Sequence, residues 1–403
     1  MSSALLFLVL AQWPQFGGPN RNFQVDSPPL ASSWPPAGPK KLWVRELGAG
    51  FSGIVVSDGR LFTMYNRGSH GSSGVEEVVV AIDQATGKTI WEYEYRAPFK
   101  VDADVGPGPH ATPLVDGDRV YTTGATGKLH CLDAKTGKVV WMHDLKVDYN
   151  GSSLVYGYAS SPLLYKDNII MPVGGNGYAL MAFDKTNGRP VWRSGSFTNA
   201  YSSPLAINVD GQDQIIIVMK ADIVAIDPNT SNLLWRRPQN AEYGINVTMP
   251  VWGPDNLLFV SSAYNGGSQV LRLHQSGGKT TIDQLWSGYK MHVHHSDAVR
   301  IGNMIVGSSG DFGPAPLTAV DVTTGKVLWQ TRDFPKVNIV VADHKAILLD
   351  EDGTLALAAL SPEGCKVLVK AQVTDKLSWT APALAGTNLY VRDKKTLAAF
   401  DLK

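Results

Sequence analysis

Apolar and polar positions alternate in short β-rich runs, and run after run is closed by the same turn. The pattern reads Ala81-Ile-Asp83-Gln-Ala-Thr86-Gly87-Lys88-Thr-Ile-Trp91, and it returns at residues 131–141, 182–192, 225–235 and 319–329. The Asp-to-Trp separation is eight in all five copies. Alternation before Asp predicts a strand. Asp-x-x-Thr-Gly-Lys predicts a tight turn, with Asp capping local amides and Gly supplying a positive φ. The residues after Lys start the next antiparallel strand. A large aromatic at a fixed place in every unit suits packing between neighbouring sheets, so Trp43, Trp91, Trp141, Trp192, Trp235, Trp286 and Trp329 are read as structural.

A second signature lies upstream of each turn: a small polar segment ending in Pro, a strand, a turn and another strand. His110-Ala-Thr-Pro113, Ser160-Ser-Pro162, Ser202-Ser-Pro204 and Thr380-Ala-Pro382 carry it. Each unit therefore offers four short strands, which is one propeller blade. Degenerate copies lie at 273–286 and 359–369, the second with Val369 in the place of Trp. The last copy, Ala399-Phe-Asp401, stops as its turn begins, and its missing half appears as Lys40-Lys41-Leu42-Trp43. The expected fold is all-β: an eight-bladed propeller of four-stranded antiparallel blades over residues 40–403. The strand around Trp43 completes the last blade, and such a ring has no long exposed edge.

Composition adds limits. Forty glycines and twenty-four prolines among 403 residues suit a chain with many tight turns. Lys plus Arg and Asp plus Glu balance at 36 each, so no basic excess argues for nucleic acid or an anionic membrane surface. Residues 1–11 form an apolar run too short to span a bilayer, which needs roughly 20 residues. The run is read as a secretory signal and places the protein in the periplasm or outside the cell. Residues 12–39 are expected to form an irregular segment wrapping the ring, with its Pro- and Ser-rich part, Asn20 to Pro39, on the outside. Two cysteines, Cys131 and Cys365, cannot build a disulfide framework. No transmembrane segment is expected, and the protein is expected to be a monomer.

The Ala-x-Asp-x-x-Thr-Gly-Lys-x-x-Trp units resemble the tryptophan-docking repeats of the pyrroloquinoline quinone (PQQ) propeller superfamily, over roughly residues 40–403. The segment Trp13-Pro-Gln-Phe16-Gly17-Gly18-Pro19-Asn20-Arg21 is similar to a leader found in exported bacterial members of unassigned function. The resemblance implies one of two roles. Some members are alcohol dehydrogenases that hold PQQ and calcium in the central funnel, and another is a non-enzymatic lipoprotein of the outer-membrane β-barrel assembly machinery. The chain departs from both. It lacks the adjacent cysteines that stack on PQQ, a Cys-x-x-Cys-His haem signature, and a cysteine beside the apolar run.

Aligned on the Pro signature, Phe51, His110, Ala159, Tyr201, Val247, His294 and Trp379 occupy equivalent places where inner strands begin. His110, Tyr201, His294, His295 and Trp379 are the expected funnel ligand-binding residues, since such rings stack planar ligands. His292 and His294 would share one face of a strand and are weak candidates for a metal. His295 and Asp297 would share the other face. Alcohol oxidation would need a carboxylate base and calcium several oxygens. Asp297 and Asp311 are the weak catalytic candidates, with Asp102 and Asp104 as further acids and Lys290 or Arg300 as cationic partners. The reading is an exported, non-catalytic binding or scaffolding module for a protein, peptide or glycan, or a small molecule in the funnel. The alternative is an oxidoreductase dependent on PQQ and a metal.

Overall fold

The computed structural model describes residues 12–68, 75–99, 106, 108–152, 154–311, 313–375 and 377–403. The expected signal segment, Asp102 and Asp104 lie outside these residues. The described residues form eight four-stranded antiparallel sheets. Seven are simple meanders, spanning 55–96, 114–144, 163–194, 205–238, 251–288, 299–331 and 338–372. The eighth combines Ala383–Ala385, Asn388–Arg392 and Thr396–Asp401 with Lys40–Glu46 as its outer strand. Trp43 pairs with Ala399 in that sheet, so the N-terminal strand closes the ring as the repeat count requires.

The inner strands of a blade are covered on both faces by neighbouring blades, so they read as continuous apolar runs. Glu76–Asp83 and Lys345–Leu349 are buried almost throughout, whereas the outer strand Thr89–Arg96 alternates between exposed and covered residues. Its buried positions are Tyr95 and the tryptophan, Trp91. Trp91 sits opposite Ala81, Trp141 opposite Cys131, Trp192 opposite Ala182 and Trp329 opposite Ala319. This accounts for the small residue two places before Asp in the regular copies; in the degenerate fifth blade Trp286 sits opposite Val270. A register shift beside that pair, present in every blade, tips the ring toward the next blade.

There the indole meets the neighbouring turn. Trp91 Nε1 donates to Ala134 O at 3.1 Å, Trp43 to Gln84 O at 3.0 Å and Trp141 to Lys185 O at 3.1 Å. Trp192, Trp286 and Trp329 donate likewise to Pro228 O, Val322 O and Ser361 O. The turn glycine is required twice. Gly137 has φ +72°, and a Cβ on it would stand 2.6 Å from the Trp91 ring. Trp235 departs from the pattern and donates to Gln214 Oε1 at 2.8 Å. The facing strand, Gly267–Ser276, runs on to a hairpin at Gly277-Gly278, so the turn lies farther out than in other blades.

Arg392 locks the closure. It is fully buried, and its guanidinium donates to Met64 O at 2.7 Å, Ser52 O at 3.0 Å and Gly48 O at 3.0 Å, joining the last blade to the first.

Residues 12–31 differ from expectation. The segment crosses the inner strands instead of wrapping the outside. Trp13 bridges Val56, Pro14 O accepts from Val115 N, Arg21 Nη1 donates to Pro162 O, and Gln24 bridges Val341. Ala31 N then donates to Leu402 O. Buried Trp13 and Phe23, with Phe16 edge-on to Phe23, supply the apolar surface that draws the segment inward. It forms a floor across one end of the channel.

Candidate functional site

Small polar residues at the starts of the inner strands form a hydrogen-bonded ring around the channel. Ser52 Oγ donates to Ala111 O, and Thr112 N to Ser161 Oγ at 2.9 Å. Ser161 N donates to Ser203 Oγ at 2.9 Å, and Ser202 Oγ to Thr248 O. Met249 N donates to Asp297 Oδ1 at 2.6 Å, Val337 N to Ser308 Oγ, Asn338 Nδ2 to Trp379 O and Thr380 Oγ1 to Phe51 O. The Ser-Pro signature is therefore the blade-to-blade link. Asp297 stands where other blades have Ser or Thr, and its Oδ1 makes the same bond.

Above this ring lies a cavity of about 1260 Å3, counting the part open to solvent. Phe51, His110, Ala159, Tyr201, Val247, His294 and Trp379 all line it, together with His295, Ser296 and Asp297. His295 stacks on Trp379 (4.7 Å between centroids, 15° between planes), Trp379 lies 5.3 Å from Phe51, and Phe51 lies 6.3 Å from His110. Tyr156 and Tyr201 meet at 5.9 Å on the opposite wall. Trp13, Phe16 and Phe23 of the N-terminal segment supply the floor. Sequence reasoning missed this floor, along with Tyr156, Tyr264 and Asn338.

The histidine reading needs correction. Residues 291–298 form an irregular loop with one isolated bridge, at Val293, so strand alternation does not apply. His294 and His295 both face the cavity and touch at 4.1 Å. His292 stands apart, 3.7 Å from Asp311. Among the described residues no group of three or more His, Cys, Asp or Glu is placed to hold a metal ion. Asp311 does not line the cavity; its Oδ1 accepts from Tyr264 N at 3.0 Å. Arg300 is committed to Pro254 O and Gly302 O.

Burial sets the charge states. Desolvation lowers His110 and His294 to about 4 and His295 well below its ordinary value, so all three are neutral at pH 7. Desolvation raises Asp297 to about 7, opposed by the Met249 amide and by Arg21. The remaining exposure of Asp297 is to the cavity. Arg21, 4% exposed, is lowered to about 9 by burial, with Asp297 opposing. Lys336 lies 3.3 Å from Glu351 and 5.3 Å from the Trp379 ring centroid, and Trp379 Nε1 donates to Glu351 Oε2. Lys336 thus has an acid opposite it.

PQQ is a tricarboxylate, and calcium takes six to eight oxygens. Among the described residues, Asp297 is the single acid lining the cavity, half committed to the ring, and no Lys or Arg lines it. Cys131 and Cys365 sit in blades two and seven and do not line it either. The donor set among the described residues does not fit PQQ with calcium.

These features define an eight-bladed, single-funnel propeller whose blades are joined by tryptophan and whose channel is floored by its own N-terminal segment. Residues 75–331 match the PQQ-like repeat family described as outer membrane protein assembly factor BamB, and the chain belongs to that family. It is 30% identical over 120 residues to quinohemoprotein alcohol dehydrogenase ADH IIB of Pseudomonas putida, covering 28% of this chain and 17% of that protein. It is 28% identical over 143 residues to BamB of Kangiella koreensis, covering 35% and 34%. The chain thus spans about a fifth of the length of the curated dehydrogenases it matches. BamB of Moraxella catarrhalis superposes with TM-score 0.60 at 18% identity, covering 91% of this chain and 98% of that one. Quinohemoprotein alcohol dehydrogenase from Comamonas testosteroni superposes with TM-score 0.66 at 16% identity, covering 97% and 80%. At these identities the structures share the fold.

Proposed function

We propose that this chain is an exported, non-catalytic binding propeller that receives its ligand in the central funnel and uses the surrounding loops as a scaffold. One observation carries the reading. Among the described residues the funnel offers an extended aromatic wall but a single carboxylate, no lining cation and neutral histidines. That set suits recognition and lacks the paired charges of redox or hydrolytic chemistry. The apolar run at residues 1–11 supports export. Membership in a family described by an outer membrane assembly factor supports a scaffolding role with protein, peptide or glycan partners. Among the described residues no helix is long and apolar enough to cross a membrane.

A second reading, PQQ-dependent alcohol or sugar oxidation, draws on the partial likeness to quinoprotein dehydrogenases. Asp297, raised to about 7, also has the affinity expected of a general base. The test is a dye-linked oxidation assay on the purified chain supplied with PQQ, calcium and a panel of primary alcohols and aldoses. The binding reading expects no turnover above the heat-inactivated control. Saturable turnover abolished by Asp297→Asn would replace it with the oxidoreductase.

A further inference from the structure

The funnel's chemistry narrows its ligand, provided the binding reading holds. Its wall carries Phe51, Tyr156, Tyr201, Tyr264 and Trp379, aromatic side chains of the kind that pack against the C–H faces of a sugar ring. Lys336 lies 3.3 Å from Glu351, the Arg21 charge acts on Asp297 through space, and among the described residues no Lys or Arg lines the cavity. An anion here would lie near the Asp297 carboxyl without a dedicated cation, and a cation would compete with Arg21 and Lys336. The polar groups are those that serve hydroxyls. Asp297 is held through Oδ1, and among the described residues no hydrogen bond reaches its Oδ2, while His294 and Ser296 are 6% and 5% exposed. His294 Nδ1 and Ser296 Oγ have no hydrogen-bond partner.

The mouth supplies a second, independent observation. Tyr264 lines the cavity with φ +48°, and Tyr243 packs edge-on against it at 6.1 Å with φ +64°. Left-handed backbone is disfavoured for a bulky side chain and concentrates where function over-determines it. Tyr243 is 74% exposed, so burial does not account for its placement. It continues the aromatic wall out of the funnel. The floor formed by Trp13, Phe16 and Phe23 closes the other end, so a chain entering past Tyr243 ends above Asp297.

We infer that the funnel binds the end of an uncharged, hydroxyl-rich sugar chain, with Tyr243 and Tyr264 at the mouth and Trp379, His295 and Asp297 at the base.

The test is isothermal titration of the full chain with neutral oligosaccharides of glucose, xylose and N-acetylglucosamine. Uronic-acid oligosaccharides, amine-bearing chitosan oligomers and a mixed peptide library run beside them. A neutral oligosaccharide should bind with an affinity little changed between low and high salt. Trp379→Ala and the exposed Tyr243→Ala should each weaken it about tenfold, the loss expected of one aromatic contact. Tyr243→Ala guards against misfolding, because its side chain is exposed and lies outside the buried core. Tighter binding of a charged oligosaccharide, or no neutral binding at millimolar concentration, overturns the sugar assignment. Peptide binding lost in Trp379→Ala overturns the sugar but keeps the binding propeller, whereas PQQ-dependent turnover overturns both.

Discussion

Gly137→Ala is the sharpest probe of how the blades hold together. At φ +72°, alanine costs about 1 kcal/mol in the left-handed region regardless of its neighbours. Its Cβ would also stand 2.6 Å from Trp91 Cε3 and 2.8 Å from Cδ2, inside van der Waals contact. Relief requires moving the indole, which sacrifices its 3.1 Å bond to Ala134 O, or shifting the turn. Such overpacking costs about 1–3 kcal/mol, so the total should be about 3 kcal/mol. Gly59 is the control: its φ is +74°, and a Cβ there meets nothing within 4 Å. Gly59→Ala should therefore cost about 1 kcal/mol. Urea unfolding at constant slope gives both values. In a Trp91→Ala background the extra cost of Gly137→Ala should vanish, leaving about 1 kcal/mol. Gly188→Ala beneath Trp141 repeats the test one blade on, with a 2.6 Å approach. Equal costs at Gly59 and Gly137, or an undiminished cost without Trp91, would refute the docking argument.

Other outcomes follow from the same geometry. Arg392→Met should destabilise by about 3 kcal/mol or more, since it strands buried carbonyls that accept charge-assisted bonds. Hydrogen exchange should then quicken first along the closing strand Lys40–Glu46. Asp297 has a folded-state pKa near 7, above its ordinary 3.8, so folding takes up a proton between about pH 4 and 7. Stability from this site therefore falls as pH rises through that window, by on the order of 2–4 kcal/mol. Asp297→Asn should remove that part of the pH dependence, and an unchanged profile would show that Asp297 does not titrate there. Trp13→Ala should cost about 3–5 kcal/mol by removing a buried indole from the floor.

The repeat made the ring legible because each blade solves the same local problem. Ala, Asp, Thr, Gly and Trp each answer one constraint of a turn packed under an indole. Even the degenerate turn at Ser361 keeps its acceptor role, through Ser361 O and Trp329. The site was legible only where it repeats: the positions before the Pro signature line the funnel because inner strands begin there. Three features escaped for physical reasons. The floor depends on contacts from Trp13, Arg21 and Gln24 to blades up to several hundred residues away, which no local pattern encodes. The loop at 291–298 breaks strand alternation, so His294 and His295 share the cavity although they are adjacent in sequence. Arg392 reads as an ordinary charge at a strand end, yet it is the buried link between the last and first blades.

The most direct test of a binding funnel without quinone chemistry is a thermal-stability titration of the purified chain with PQQ and calcium. A ligand that binds only the native state adds about 2.7 kcal/mol at one hundred times its dissociation constant, an easily measured shift. The account predicts no saturable shift, because among the described residues the funnel has one half-committed carboxylate and no lining cation to hold a tricarboxylate and its metal. A saturable shift that Asp297→Asn abolishes would contradict it.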